Sequence, residues 1–123
     1  MNIYIGIDAV EIERFTHFHS YSKKRLARLF SPEEIDYCLQ NPAKSAERFA
    51  ARFAAKEALY KALTQFLGKP PCPLFSLCKN VSILNKPHPT FVVDWDTINS
   101  PQKSVQVSIT HTKGLAFAQV LLF

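Results

Sequence analysis

Between Arg48 and Leu67 the chain reads Arg-Phe-Ala-Ala-Arg-Phe-Ala-Ala-Lys-Glu-Ala-Leu-Tyr-Lys-Ala-Leu-Thr-Gln-Phe-Leu, without proline or glycine. Alanine, leucine and long straight side chains dominate, so intrinsic propensity and periodicity both predict one long, largely buried helix. A helix of that length spans roughly 30 Å, about the width of a small domain, and the other elements have to pack around it. At 100° per residue Phe49, Phe53, Tyr60 and Leu67 share a narrow stripe, with Leu63 and the Lys56 stem beside it. Glu57 and Lys61 lie off that stripe, embedded among Ala50, Ala54 and Ala58. As an i,i+4 pair in the Glu-first order they would contribute only about 0.2 to 0.5 kcal/mol. A solvated face is usually lined by long polar side chains, and alanines leave space instead. A ligand- or metal-facing carboxylate therefore stands beside the packed ion pair as a reading of Glu57.

The 123 residues are enough for one domain with a real core. Fifteen basic against ten acidic residues give a formal net charge of +5, which favours an anionic partner such as a nucleotide, a nucleic acid or an acidic protein. Cys38, Cys72 and Cys78 are odd in number and lack the pair spacing of a metal site, so they read as reduced thiols of a cytoplasmic protein. The N-terminus carries a charge by Asp8 and does not read as a signal peptide, and no apolar run is long enough to span a bilayer.

Residues 3 to 7 alternate, with Ile3, Ile5 and Ile7 on one face of a strand and Tyr4, Gly6 and Asp8 on the other. Asp8 is expected to end that strand, and Gly6 lets another backbone or a ligand come close. Asp8 with Glu11 also fits a capping-box-like start for a helix carrying Val10, Ile12 and Phe15; a cap and a ligand-facing carboxylate are compatible roles. Lys23 to Arg28 carries four positive charges interleaved with Leu26, which predicts an amphipathic helix, either a solvated face or a docking surface for an acidic helix. Ser31-Pro32-Glu33-Glu34 has the serine, proline and glutamate of a capped helix start. Asn41-Pro42 repeats the signal ahead of the long helix, which is expected to stop near Gly68-Lys69-Pro70-Pro71.

Beyond that point the period changes. Val81 to Leu84 and Thr90 to Val93 read as two strands joined through Asn85-Lys86-Pro87-His88-Pro89, and Asp94 to Ser100 is ambiguous, with a short helix around Trp95 and Ile98 as one reading. Val105 to Thr110 alternates as a strand with His111 at its end, and Thr112-Lys113-Gly114 turns the chain into a last strand. His111 reads equally as a turn histidine and as a ligand contact. The elements sum to an α+β domain: a long central helix on a small, mainly antiparallel sheet. Two carboxylates brought together would repel, whereas a hard divalent cation coordinates such oxygens and keeps water or phosphate oxygens as its other ligands. No Walker loop, zinc-ligand cluster or nucleophile elbow is present.

Four segments in order, Ile5-Gly6-Ile7-Asp8-Ala9-Val10-Glu11-Ile12-Glu13-Arg14, Phe30-Ser31-Pro32-Glu33-Glu34, Arg52 to Ala62 and Val107-Ser108-Ile109-Thr110-His111, together resemble holo-acyl-carrier-protein synthase, the small homotrimeric class of 4′-phosphopantetheinyl transferases. The resemblance runs from the first strand to the last and implies one phosphopantetheinyl transferase domain over residues 1–123. It further implies Mg²⁺-dependent transfer of 4′-phosphopantetheine from coenzyme A to a serine of an apo-acyl carrier protein, with release of adenosine 3′,5′-bisphosphate, in support of fatty acid synthesis. By the same resemblance Asp8 and Glu57 hold the Mg²⁺, Lys61 lies against the phosphate chain, and Arg52 and His111 meet the coenzyme A nucleotide. Arg14, Lys24 and Arg28 would face the acidic carrier protein, and active sites would lie between subunits of a homotrimer. Two departures stand out: Phe66 to Pro71 keeps a single glycine where the family often has several, and Asn85 replaces the usual glycine of a Gly-Lys-Pro turn, where asparagine tolerates a left-handed conformation. The competing reading from another class is a non-catalytic basic module that binds nucleic acid through Lys23 to Arg28.

Overall fold

Strand β1 (Tyr4–Glu11) lies directly on helix α3 (Ser45–Leu67), and this contact organises the fold seen in a computed structural model that describes residues 1–123. Where β1 crosses α3, Gly6 comes so close that a Cβ built on it would sit 1.7 Å from the Ala58 carbonyl oxygen. Ala50, Ala54, Ala58 and Ala62 have no exposed surface. The alanines therefore do not hold space open for a ligand, as their smallness predicts; they let a sheet approach the helix at backbone distance.

The sheet has the order β1-β5-β4, all antiparallel, with β4 (Val105–His111) and β5 (Leu115–Leu122) forming the expected C-terminal hairpin. Its helix-facing side carries Gly6, Asp8, Val10, Ala116, Ala118 and Val120, all buried. The isoleucines face the other way: Ile3, Ile5 and Ile7 are 55%, 51% and 61% exposed. Strand β1 runs on through Asp8 to Glu11, and a 3-10 turn over Ile12–Phe15 follows. The helix that Asp8 was expected to cap is absent, and Asp8 sits within the strand, opposite Ala118. The apolar alternation of Val10 with Gly6 and Asp8 outweighs the local capping signal.

A short helix α1 (Lys23–Leu26), capped by Ser22, covers only part of the basic run, and Leu26 is its buried residue. Helix α2 (Pro32–Leu39) opens on the capping box read from its sequence: Ser31 Oγ accepts from Glu34 N and Glu34 Oε1 accepts from Ser31 N. Asn41 launches a 3-10 turn over Pro42–Lys44 rather than α3 itself. Gly68 ends α3 in the left-handed region at φ 74°, as a C-terminal glycine does. Helix α4 (Leu74–Lys79), which has no clear periodicity in so short a run, precedes the hairpin of β2 (Val81–Leu84) and β3 (Thr90–Val93). Asp94 to Ser100 forms turns, with Ile98 buried.

The second anchor of α3 is a buried ion pair. Lys56 Nζ donates to Glu34 Oε1 at 2.6 Å, to Leu29 O at 2.8 Å and to Cys78 O at 2.9 Å, and neither side chain is exposed. Glu34 Oε2 also accepts from Ile83 N at 3.1 Å, so one pair ties α2, α3, α4 and β2 together. Burying two charges costs several kcal/mol, and it is the added hydrogen bonds to three carbonyl or amide groups that offset the cost. Cys38 and Cys78 are free thiols in this core, and burial pushes each up to about 12.

The close approach at Gly6 yields a stability prediction. Gly6→Ala should lower the free energy of urea unfolding by about 3 kcal/mol or more, since the backbone oxygen it meets cannot rotate away. Gly114→Ala, where an added Cβ meets nothing within 4 Å, should change it by less than about 1 kcal/mol.

Candidate active site

Alternation along β1 points Asp8 inward, and its register sets it beside the middle of α3, where Glu57 and Lys61 emerge one turn apart. Lys61 does not pair with Glu57 as i,i+4 spacing allows. Its Nζ donates to Asp8 Oδ1 at 2.9 Å and to Ile7 O at 3.0 Å. One turn further on, Gln65 Oε1 accepts from Ile5 N at 3.1 Å, so two side chains of α3 satisfy the outer edge of β1. Asp8 Oδ2 is buried and has no hydrogen-bond partner.

Glu57 completes the cluster. Partial burial raises its carboxyl above the ordinary 4.5, and the neighbouring Asp8 carboxylate raises it further, while Lys61 and Arg14 draw it down. Arg14 thus stands at this cluster and not on the basic segment; its guanidinium lies 5.9 Å from the Phe15 ring and 6.0 Å from the Phe53 ring. Two carboxyls sharing a site, one with an unpartnered inward oxygen, form a donor set suited to a hard divalent cation. No group of three or more His, Cys, Asp or Glu side chains converges in the chain, so such a cation would take its other ligands from water or a substrate.

The remaining predicted residues lie elsewhere. His111 projects from the end of β4 and meets Glu47 in the first turn of α3, Nε2 to Oε1 at 2.6 Å. The pair borders a cleft of about 410 Å³ that Lys113 and Thr112 also line. Asp8 is level with Ile109 in the sheet, so His111 lies two strands across and two residues along, about 12 Å away between Cα atoms. Arg52 is buried between Tyr37, whose ring its guanidinium covers at 4.4 Å, and the Asn85 side chain, which accepts from it. Its Nε has no partner. Asn85 does not use the left-handed conformation that asparagine tolerates and supplies a side-chain acceptor instead.

Lys24 is exposed on α1, and Arg28 lines a cavity of about 520 Å³ together with Phe18, Tyr21, Arg25, Phe75 and Lys79. Arg25 covers the Tyr21 ring at 3.7 Å and Phe75 is 63% exposed, so an apolar floor is ringed by three cations. Glu47, Tyr37 and Gln65 are neighbours of the predicted residues that pattern alone missed. Gln65 carries the one usable signal, a polar residue at i+4 from Lys61.

Comparison with known proteins follows the same outline. The model of the 4′-phosphopantetheinyl transferase superfamily matches residues 4–120. The chain is 40% identical over 122 residues to a holo-[acyl-carrier-protein] synthase of Trichlorobacter lovleyi, covering 96% of this chain and 94% of the relative. It is 35% identical over 123 residues to the holo-[acyl-carrier-protein] synthase of Chlorobium limicola, covering 96% and 91%. Among solved structures, an acyl-carrier-protein synthase–CoA complex from Chronobacterium ammoniagenes superposes with a TM-score of 0.82 at 26% identity, over 99% of this chain and 97% of that one. A Bacillus anthracis holo-(acyl-carrier-protein) synthase in complex with CoA (3′,5′-ADP) gives 0.74 at 28% identity, over 97% and 94%.

The raised Glu57 carboxyl sets a pH dependence in the metal-free protein. A carboxyl that titrates higher folded than unfolded contributes stability that is complete below its ordinary 4.5 and is lost as pH rises through the folded value. In the presence of a chelator, Glu57→Gln should therefore melt above the wild type at pH 7, and the difference should close on acidification towards pH 4, followed by circular dichroism.

Proposed function

This chain belongs to the 4′-phosphopantetheinyl transferase superfamily, and from that premise we propose that residues 1–123 form a single holo-[acyl-carrier-protein] synthase domain. It would transfer 4′-phosphopantetheine from coenzyme A to a serine of an apo-acyl carrier protein, in the cytoplasm and in support of fatty acid synthesis. The observation that carries the reading is the Asp8–Glu57 carboxyl pair with its unpartnered inward oxygen and the Lys61 ammonium beside it. Two carboxyls so placed oppose joint ionisation, and in a 4′-phosphopantetheinyl transferase the pyrophosphate of coenzyme A would be the companion ligand of a cation bound there.

Asp8 and Glu57 are the residues that would hold Mg²⁺. When bound, the ion supplies charge neutralisation on the pyrophosphate and on the departing phosphate. Lys61, held at the mouth of the same site, would contact the phosphate chain one helical turn from Glu57. The serine Oγ forms a bond to the phosphorus that carries pantetheine as the P–O bond of the pyrophosphate bridge breaks. The electron pair leaves on adenosine 3′,5′-bisphosphate and the serine proton passes to a base. Positioning and charge stabilisation carry most of such a transfer, which suits a site built of fixed charges with no nucleophile of its own.

Arg52 and His111 would meet the coenzyme A nucleotide. The separation of His111 from Asp8 within one chain supports active sites shared between subunits, as does the uncovered face of Ile3, Ile5 and Ile7; the assembly proposed is a homotrimer. For the carrier protein, Arg28 and Lys24 offer the basic surface, and the groove that Arg28 shares with Phe75 suits an acidic amphipathic helix. Arg14, at the carboxyl cluster, would meet the carrier near its serine.

Incubation with coenzyme A, Mg²⁺ and apo-acyl carrier protein should add one phosphopantetheine to the carrier by mass spectrometry and release adenosine 3′,5′-bisphosphate. Glu57→Gln should lower the rate by at least about 100-fold with the fold intact. A wild-type rate in that variant would overturn the assignment of Glu57, and no mass gain alongside salt-sensitive nucleic-acid binding would favour a basic binding module. Arg28→Glu should raise the KM for the carrier about tenfold and leave the KM for coenzyme A within twofold.

A further inference from the structure

The cation that compensates Asp8 in this chain is a lysine with freedom to leave. The Asp8 side chain is 8% exposed and that of Lys61 is 54% exposed, so the carboxylate is enclosed while the stem of its partner lies in solvent. Only the ammonium tip is held, by Asp8 Oδ1 and the Ile7 carbonyl. A flexible four-carbon stem with a rotatable ammonium can depart through side-chain torsions alone. Gln65 keeps its hold on Ile5 N, so the edge of β1 retains one of its two covers when Lys61 moves. The second Asp8 oxygen is buried and accepts no hydrogen bond, so an ammonium bound at Oδ1 leaves it unpaired. A divalent cation and an ammonium on one carboxylate repel each other, so occupancy by one opposes occupancy by the other.

We propose that Lys61 is the resident counter-cation of Asp8, and that its ammonium and a divalent cation occupy this carboxylate in alternation. Loading the site then releases Lys61 towards solvent, where a phosphate chain held by the cation would lie. The inference rests on the divalent-cation reading of Asp8 and Glu57 given above. Its quantitative consequence is a tax on metal affinity: binding is weakened by the fraction of time Asp8 is held by Lys61. The same exchange couples the two steps of site assembly, because the lysine becomes available to phosphate only once the cation is in place.

Mn²⁺ alone, titrated into the full chain without coenzyme A and followed by electron paramagnetic resonance, tests the exchange. Lys61→Met should bind Mn²⁺ at least about fivefold more tightly than the wild type, and Lys103→Met, which removes the same charge elsewhere, should change it by less than about twofold. In ¹⁵N-lysine-labelled wild type, Mg²⁺ should shift the Lys61 ammonium signal; this measurement requires no variant and stands even if Lys61→Met folds poorly. Asp8→Asn should abolish specific Mn²⁺ binding. If binding disappears in Asp8→Asn but is unchanged in Lys61→Met, or the ammonium signal does not move, the exchange is wrong and the metal site stands. If Asp8→Asn leaves Mn²⁺ binding unchanged, the metal site itself is wrong and the exchange falls with it.

Discussion

The absence of a side chain at Gly6 is the constraint on which the site depends. It lets β1 settle against the Ala58 carbonyl, and the pleat then delivers Asp8, two residues on, to the level of Glu57 and Lys61. A strand held off by even one methyl group would leave Asp8 short of Lys61, whose 2.9 Å hydrogen bond closes the cluster. The edge of β1 has no neighbouring strand, and the polar side chains Lys61 and Gln65 satisfy its backbone groups. Lys61 is thereby both an edge cover and the counter-charge of Asp8, which is why one side chain links the fold to the chemistry.

Helix α3 is held from its other side by Lys56, whose neighbour in sequence is Glu57. Successive residues of a helix point 100° apart, so one serves a buried clamp and the next faces the site. The clamp draws on α2, α4 and β2 and gives them one shared partner. Replacing such a pair with apolar groups would satisfy the volume but leave the amide of Ile83 and the carbonyls of Leu29 and Cys78 to find other partners. The charge pair is retained here by its hydrogen bonds and less by its Coulomb energy.

Much of this was legible from residues. The Ser31–Glu34 capping box, the Gly68 stop, the β2–β3 and β4–β5 hairpins and the length of α3 all follow from local rules, because in each the deciding interaction lies within a few residues. Non-local interactions decided the rest. Asp8 carries a good capping signal yet lies mid-strand, since pairing with β5 continues past it. The alanines of α3 read as open space because nothing local says that a strand fills it. Lys61 has a suitable partner at i−4 and chooses one 53 residues away. Glu34 reads fully as a cap, and its second oxygen, bound to Ile83, is invisible until β2 is placed. The grouping of Asp8 with Glu57 came from family resemblance, as did the roles expected of Arg52 and His111, which no spacing rule relates to them.

The orientation of β1 carries the last consequence. A three-stranded sheet with a helix on one side can bury only that side, and the ordinary economy of a small domain would turn the isoleucines inward. Here the inward positions nearest the crossing with α3 go to Gly6, Asp8, Ala116 and Ala118, which are small or charged, and Val10 and Val120 flank them, because the helix has to come close and a carboxylate has to reach it. On β1 the large aliphatic residues, Ile3, Ile5 and Ile7, take the opposite face. That face is an apolar liability for an isolated chain and an asset for one that associates through it. Under the proposed trimer the two facts have one cause: building the Asp8–Glu57 site on the inner face of the sheet leaves the outer face to bury the isoleucines between subunits.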